Sequence, residues 1–232
     1  MNAVLKQVAA GSAATKASHK NGQDTVDARH SKELIIGLSG PVGSGLDSVR
    51  DALTRKLEER NYRVVHIKVS ELFSDAARTL GVPYSESHEA SEEFNRIWSL
   101  QSVGNGLRIA LGDDAAAQLA MRSIALHRTA EHPGKSIPEI VPEKVAYIVD
   151  QLKHPKEVSL LRSVYRNLFF MIGVLCSYGR RRRKLTRAGM SRELAERLIE
   201  RDRKESDDNG QQLEKTLQHA EFFVSNSHAN LA

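Results

Sequence analysis

Glu33-Leu34-Ile35-Ile36-Gly37-Leu38-Ser39-Gly40-Pro41-Val42-Gly43-Ser44-Gly45-Leu46-Asp47-Ser48 is the stretch on which the fold turns. A short, continuous apolar run breaks into a glycine-rich turn, as a strand buried on both faces does when it delivers the chain into a tight loop. Just beyond it, Val49, Ala52, Leu53 and Leu57 recur at helical spacing, which predicts a helix over 47–60 with Asn61 as its stop signal. The next run, Arg63-Val64-Val65-His66-Ile67-Lys68-Val69, is short and β-branched and predicts a second strand. A strand, glycine loop, helix and strand in that order form a right-handed crossover between parallel strands.

The loop adds chemistry to this frame. Gly40-Pro41-Val42-Gly43-Ser44-Gly45-Leu46-Asp47 keeps the glycine spacing of G-x-x-x-x-G-K-[ST] through its sixth position, between a strand and a helix as that motif requires. The expected fold class is therefore α/β, a three-layer P-loop nucleotide-kinase plan with a mainly parallel sheet. Gly40, Gly43, Ser44 and Gly45 would offer backbone N–H groups to an anion at the positive end of the helix. The motif then fails: Leu46 stands where a lysine neutralises phosphate charge, and Asp47 where a hydroxyl helps to hold magnesium. Ser48 carries a hydroxyl one place late. Three readings stay open: a nucleotide site of altered chemistry, a phosphotransferase with a substitute cation, and a glycine turn kept for packing.

Further along, residues 90–129 read as helical, with turn signals at 104–106 and 112–114. Trp98 is a helix-packing residue in preference to a base-stacking platform. A Pro- and Gly-containing break over 132–142 precedes a third strand at 145–149. Asp150 follows that strand directly, where an acidic residue can orient magnesium in P-loop enzymes; it is the one catalytic candidate, and a plain strand-end aspartate is its alternative. Residues 167–174 predict a fourth strand, 192–204 a helix capped by Ser191, 211–220 a further helix and 221–226 a closing strand. Between them, Arg180-Arg181-Arg182-Arg183-Lys184 is the densest positive charge. In the kinase plan it falls in a lid over about 177–204 whose arginines reach phosphates. Arg201-Asp202-Arg203-Lys204 belongs to the same lid or is a charged helix end. Arg108 and Arg122 lie on the middle helices, where a kinase collects its acceptor.

Composition narrows the classes. The chain has 232 residues and one cysteine, Cys176, which excludes an internal disulfide framework and a four-cysteine zinc site and suits a reducing cytoplasm. No apolar run reaches the roughly 20 residues that span a bilayer, so no membrane partner is expected. The formal charge of +5 fits a phosphate-rich ligand and equally a solvated surface. Residues 1–31 are polar without apolar period and are expected to form a flexible tail before the domain at 32–226.

With these residues set out, the sequence resembles the N-terminal P-loop domain of the anti-phage deoxycytidylate deaminases. The likeness rests on Glu33 to Gly43, on Leu152-Lys153-His154-Pro155-Lys156-Glu157-Val158 with Leu160-Leu161-Arg162, on Leu198-Ile199-Glu200-Arg201-Asp202-Arg203-Lys204-Glu205, and on Glu221-Phe222-Phe223-Val224-Ser225-Asn226. It implies a partner deaminase domain that converts deoxycytidine nucleotides to deoxyuridine nucleotides, and a non-coding RNA that holds the protein inactive. Zinc belongs to that deaminase half, which needs H-x-E and P-C-x-x-C. His219-Ala220-Glu221 matches the first by letters, but no P-C-x-x-C follows, so no metal residue carries over. The family's loop commonly departs from the lysine-bearing motif, as Leu46 does.

The expectation is thus a cytoplasmic nucleotide-binding or regulatory domain, with 227–232 beginning a linker to the deaminase. ATP or a deoxynucleotide, with magnesium, is the expected ligand. Its expected site residues are Gly40, Gly43, Ser44, Gly45, Ser48, Arg180, Arg181, Arg182 and Arg183, with Asp150. A small nucleotide kinase and an RNA- or protein-docking domain are the alternatives, and a homo-oligomer is compatible with each.

Overall fold

A computed structural model describes residues 31–136, 139–140, 143–204 and 212–227. The flexible tail assigned to 1–31 and the linker at 227–232 fall, but for Ser31 and Ser227, outside the described residues, as does part of the break at 132–142. Five strands form one sheet: β1 (Leu34–Ser39), β2 (Arg63–Lys68), β3 (Val145–Asp150), β4 (Phe169–Leu175) and β5 (Phe222–Ser225). Their order is β2-β3-β1-β4-β5, and each of the four pairings is parallel. This is the three-layer α/β fold of the nucleotide-kinase plan. β1 occupies the centre, with Ile36 opposite Ile148 on one side and Phe170 on the other.

Because side chains alternate across a strand, β1 feeds two cores. Ile35 joins Tyr147, Val149 and Met171 against helices α2 (Val69–Leu80), α3 (Glu92–Leu111), α4 (Ala115–Glu131) and α5 (Pro155–Tyr165). Ile36 and Leu38 join Ile148 and Val174 against Leu46 and Val49 of α1 (Leu46–Glu58). A third cluster unites Phe94 of α3 with Leu185 of α6 (Tyr178–Arg187) and Leu194, Ala195, Leu198 and Ile199 of α7 (Arg192–Lys204). A five-residue helix, α8 (Leu213–Leu217), precedes β5.

Two local readings are corrected, and residues 155–165, to which the sequence assigned no element, form a helix with Pro155 in its first turn. Residue 69 opens α2 instead of ending β2. The turn signals at 104–106 lie inside α3, which ends only at Gly112. Gly104 and Gly106 serve close approach: a Cβ on Gly106 would stand 2.9 Å from the Pro83 carbonyl, and one on Gly104 3.1 Å from the Phe73 ring. Trp98 does pack between helices, stacked on Phe94 at 5.6 Å with Arg201 over its face.

Candidate functional site

The chain leaving β1 heads for β2, whereas that leaving β3 crosses to β4, so the carboxyl ends of β1 and β3 lie at a switch point. Open α/β sheets hold their ligands there. A cavity of about 860 Å³ occupies that place, running from residues 41–47 past Asp150 and the start of α2 to the middle of α3.

The loop at its near end is held from outside by its carbonyls. Gln151 Nε2 and Lys153 Nζ donate to the Gly40 carbonyl at 2.8 and 3.0 Å. Arg181 Nε donates to that of Val42 at 2.8 Å, and Asn226 Nδ2 to those of Ser44 and Gly45 at 2.8 and 3.2 Å. In a planar trans peptide the next N–H points opposite to the carbonyl. Fixing the carbonyls of Val42, Ser44 and Gly45 therefore fixes the N–H groups of Gly43, Gly45 and Leu46. These three, and Asp47 in the first turn of α1, have no hydrogen-bond acceptor among the described residues. Gly45 adopts φ 77°, a left-handed conformation that a side chain would strain. A side chain there would also collide with Asn226. The Ser44 hydroxyl is buried and has no partner among the described residues. Convergent N–H groups ahead of a helix are the elements of an anion nest.

Charge around the nest is mostly spent internally. Val42 N–H donates at 2.6 Å to Asp202, whose other carboxylate oxygen lies 2.7 Å from Lys153 Nζ. Arg181 completes this buried group at 3.8 Å. Burial pulls the Arg181 guanidinium below its ordinary pKa, and Asp202 opposes that. Arg50 bridges Asp150 at 3.2 Å and Asp47 at 3.0 Å. Desolvation holds the Asp150 carboxyl above the usual range, with Arg50 acting against it. At the far end Arg108 pairs with Glu157 in full burial.

Every lysine or arginine lining the cavity is paired in this way with a carboxylate, except one. Lys184 is exposed, forms no ion pair among the described residues, and places Nζ 3.1 Å from where a Cβ on Gly45 would be. It lies across the loop from Leu46, whose side chain is buried in the core under β1.

The expected site residues divide accordingly. Gly43, Ser44, Gly45 and Asp150 line the cavity, and Gly40 sits at its loop's base without lining it. Ser48 is exposed on α1 and outside the lining. None of the four arginines lines the cavity. Arg180 donates to the Ser227 carbonyl, Arg181 supports the loop from behind, Arg182 pairs with Glu196, and Arg183 is exposed. The segment expected to form a lid is helical from Tyr178 to Arg187, and Lys184 of that helix lines the cavity. Arg108 reaches it and Arg122 faces outward on α4. His219 offers its carbonyl to Arg162, and no group of His, Cys, Asp and Glu among the described residues is arranged to hold a metal.

Sequence reasoning assigned no role to Arg50, Lys153, Glu157 or Asn226. Only Arg50 had a local signal, one turn past the loop; the others depend on distant segments meeting. Lys153 and Glu157 do stand in the segment that carried the family resemblance.

No family model and no curated protein matches the chain. Among solved structures it is similar to TT1252 from Thermus thermophilus, with a TM-score of 0.45 and 15% identity over 85% of this chain and 90% of that one. An uncharacterized protein from Eubacterium ventriosum gives 0.40 and 13%, over 83% and 87%. No described helix is long and apolar enough to cross a membrane.

Proposed function

We propose that this chain is a nucleotide-binding regulatory domain of the kind found at the N-terminus of anti-phage deoxycytidylate deaminases, and that the cavity takes the nucleotide with its phosphates at the glycine loop. The observation that carries this reading is the nest of N–H groups at Gly43, Gly45, Leu46 and Asp47, which have no acceptor among the described residues, beside the ammonium of Lys184, which has no carboxylate partner among them. Lys184 supplies the positive charge that Leu46 cannot. Calorimetric titration of the chain with ATP, dCTP and dTTP, with and without magnesium, tests it: micromolar binding that weakens on Lys184→Met is expected, and absence of binding under all conditions overturns it.

A kinase reading has one observation in its favour, the approach of Asp150 to the same cavity. Asp150 Oδ2 is engaged by Arg50 at 3.2 Å, which competes with a metal-bound water for that oxygen. ATP turnover that disappears on Asp150→Asn would favour phosphoryl transfer over sensing. The RNA-docking reading is weakened by the arginine run itself, because Arg180, Arg181 and Arg182 are occupied within the domain.

A further inference from the structure

The end of the cavity away from the loop has a different chemistry. Arg108 Nε and Nη2 donate to Glu157 Oε1 at 3.0 and 2.8 Å, and the two side chains are 2% and 0% exposed. Arg108 Nη1 is buried and has no acceptor among the described residues. Two helical turns earlier on α3, Gln101 is also buried, and its Oε1 has no donor among them. Gly104 lies between the two on the same face of the helix, since residues three and four apart are neighbours. Phe73 of α2 closes the space, with the Arg108 guanidinium 5.7 Å from its ring centre. All four residues line the cavity. A buried polar atom without a partner costs about 1–3 kcal/mol, and two on one cavity wall call for a common partner.

The donor and acceptor pattern selects its class. Glu157 already neutralises Arg108, so Nη1 offers a hydrogen bond without a net positive charge to satisfy. Gln101 Oε1 needs a donor, which an ionised carboxylate or the internal phosphates of a polyphosphate lack. The Phe73 ring suits an apolar, planar face. A nucleobase has all three features: carbonyl or ring-nitrogen acceptors, N–H donors and a flat apolar face. The loop end offers donors and an ammonium, as phosphate requires. We propose that the α2 and α3 end of the cavity is a nucleobase subsite in which Arg108 Nη1 donates to the base, Gln101 Oε1 accepts from it, and Phe73 and Gly104 shape the slot. This rests on reading the cavity as the nucleotide site.

The test titrates the chain with inorganic tripolyphosphate, with the four deoxynucleosides and with the four deoxynucleoside triphosphates. The parent is compared with Gln101→Leu and Gly104→Ala, and thermal melting verifies that both fold. Gly104→Ala suits the helix but puts a methyl 3.1 Å from Phe73 and 3.4 Å from Arg108 Nη1. At least one triphosphate is expected to bind about tenfold or more tighter than tripolyphosphate. Each variant should lose most of that excess, with tripolyphosphate affinity unchanged. Triphosphates no tighter than tripolyphosphate, or an excess that survives both variants, overturn the base subsite and leave the phosphate site standing. Nucleosides that bind a chain blind to tripolyphosphate, and that lose binding in both variants, support the base subsite and overturn the phosphate-loop reading. Binding of none of the probes overturns both.

Discussion

At the scale of the residue, the loop carries Leu46 and no lysine, and the ammonium beside it comes from another segment. A lysine at position 46 would be carried by the loop; Lys184 comes from a separate helix, so its ammonium reaches the nest only when α6 is docked. A charge-assisted hydrogen bond contributes about 1.5–3 kcal/mol, and Lys184→Met is expected to weaken tripolyphosphate binding about tenfold or more by calorimetry, with an unchanged melting temperature. Asp150 makes a second prediction. Burial raises its carboxyl above the ordinary value, so the unfolded state gives up its proton first and native stability falls as pH rises from the ordinary value through the raised one. Asp150→Asn removes that loss while keeping an acceptor for Arg50. Its melting temperature relative to the parent should increase across that window and then level off; a difference that shrinks with rising pH would refute the assignment.

Elements meet at the loop through buried charge. Asp202 near the end of α7 caps Val42 N–H and pairs with Lys153, which precedes α5 and holds the Gly40 carbonyl. Removing one member of a buried pair leaves the other unpaired and costs about 3–5 kcal/mol. Asp202→Ala is expected to lower the urea midpoint by a corresponding amount, and Asp202→Asn, which retains an acceptor for Val42, by clearly less. Equal losses would mean that the cap contributes nothing. Within α6 the arginines are not equivalent. Arg181→Glu should destabilise the chain because it places an acid beside Asp202, whereas Arg183→Glu on the exposed face should leave the melting temperature unchanged. Reversing all four together would therefore confound folding with binding.

Over the whole molecule, the last strand closes on the first loop. Asn226 just after β5 holds two carbonyls of the turn that follows β1, so the nest is complete only when the edge strand β5 has docked beside β4. Tripolyphosphate at 100 times its dissociation constant should stabilise the native chain by about 2.7 kcal/mol. Asn226→Ala is expected to reduce that ligand-induced shift, in thermal melts at fixed ligand concentration, more than it lowers the melting temperature of the free chain. An unaltered shift would separate Asn226 from the site.

The sequence by itself determined the order of the strands along the chain, the glycine turn after the first of them and the parallel crossover that follows. These are local: apolar runs of strand length, helical spacing over 49–57, and glycines where a side chain has no room. It also singled out Gly43, Ser44 and Gly45, in the loop after β1, and Asp150, the last residue of β3, all of which line the cavity. It ran the second strand one residue into α2, whose start continues the apolar character of β2 without a break, and it took the glycines of α3 for turns, because a glycine looks the same whether it bends the chain or admits a neighbouring ring. Only the tertiary structure decided which charges are free. Arg180 to Arg183 and Lys184 are one basic run on paper. In the fold, Arg181 and Lys184 lie one turn apart on the face of α6 that meets the loop, Arg181 on the Val42 carbonyl and Lys184 beside Gly45. Lys68, Arg78 and Arg96 are paired by carboxylates three residues away, but Arg108 and Lys153 are held by Glu157 and Asp202 from distant segments. Those long-range pairings depend on the meeting of α3, α5 and α7 around the cavity, which no local pattern encodes.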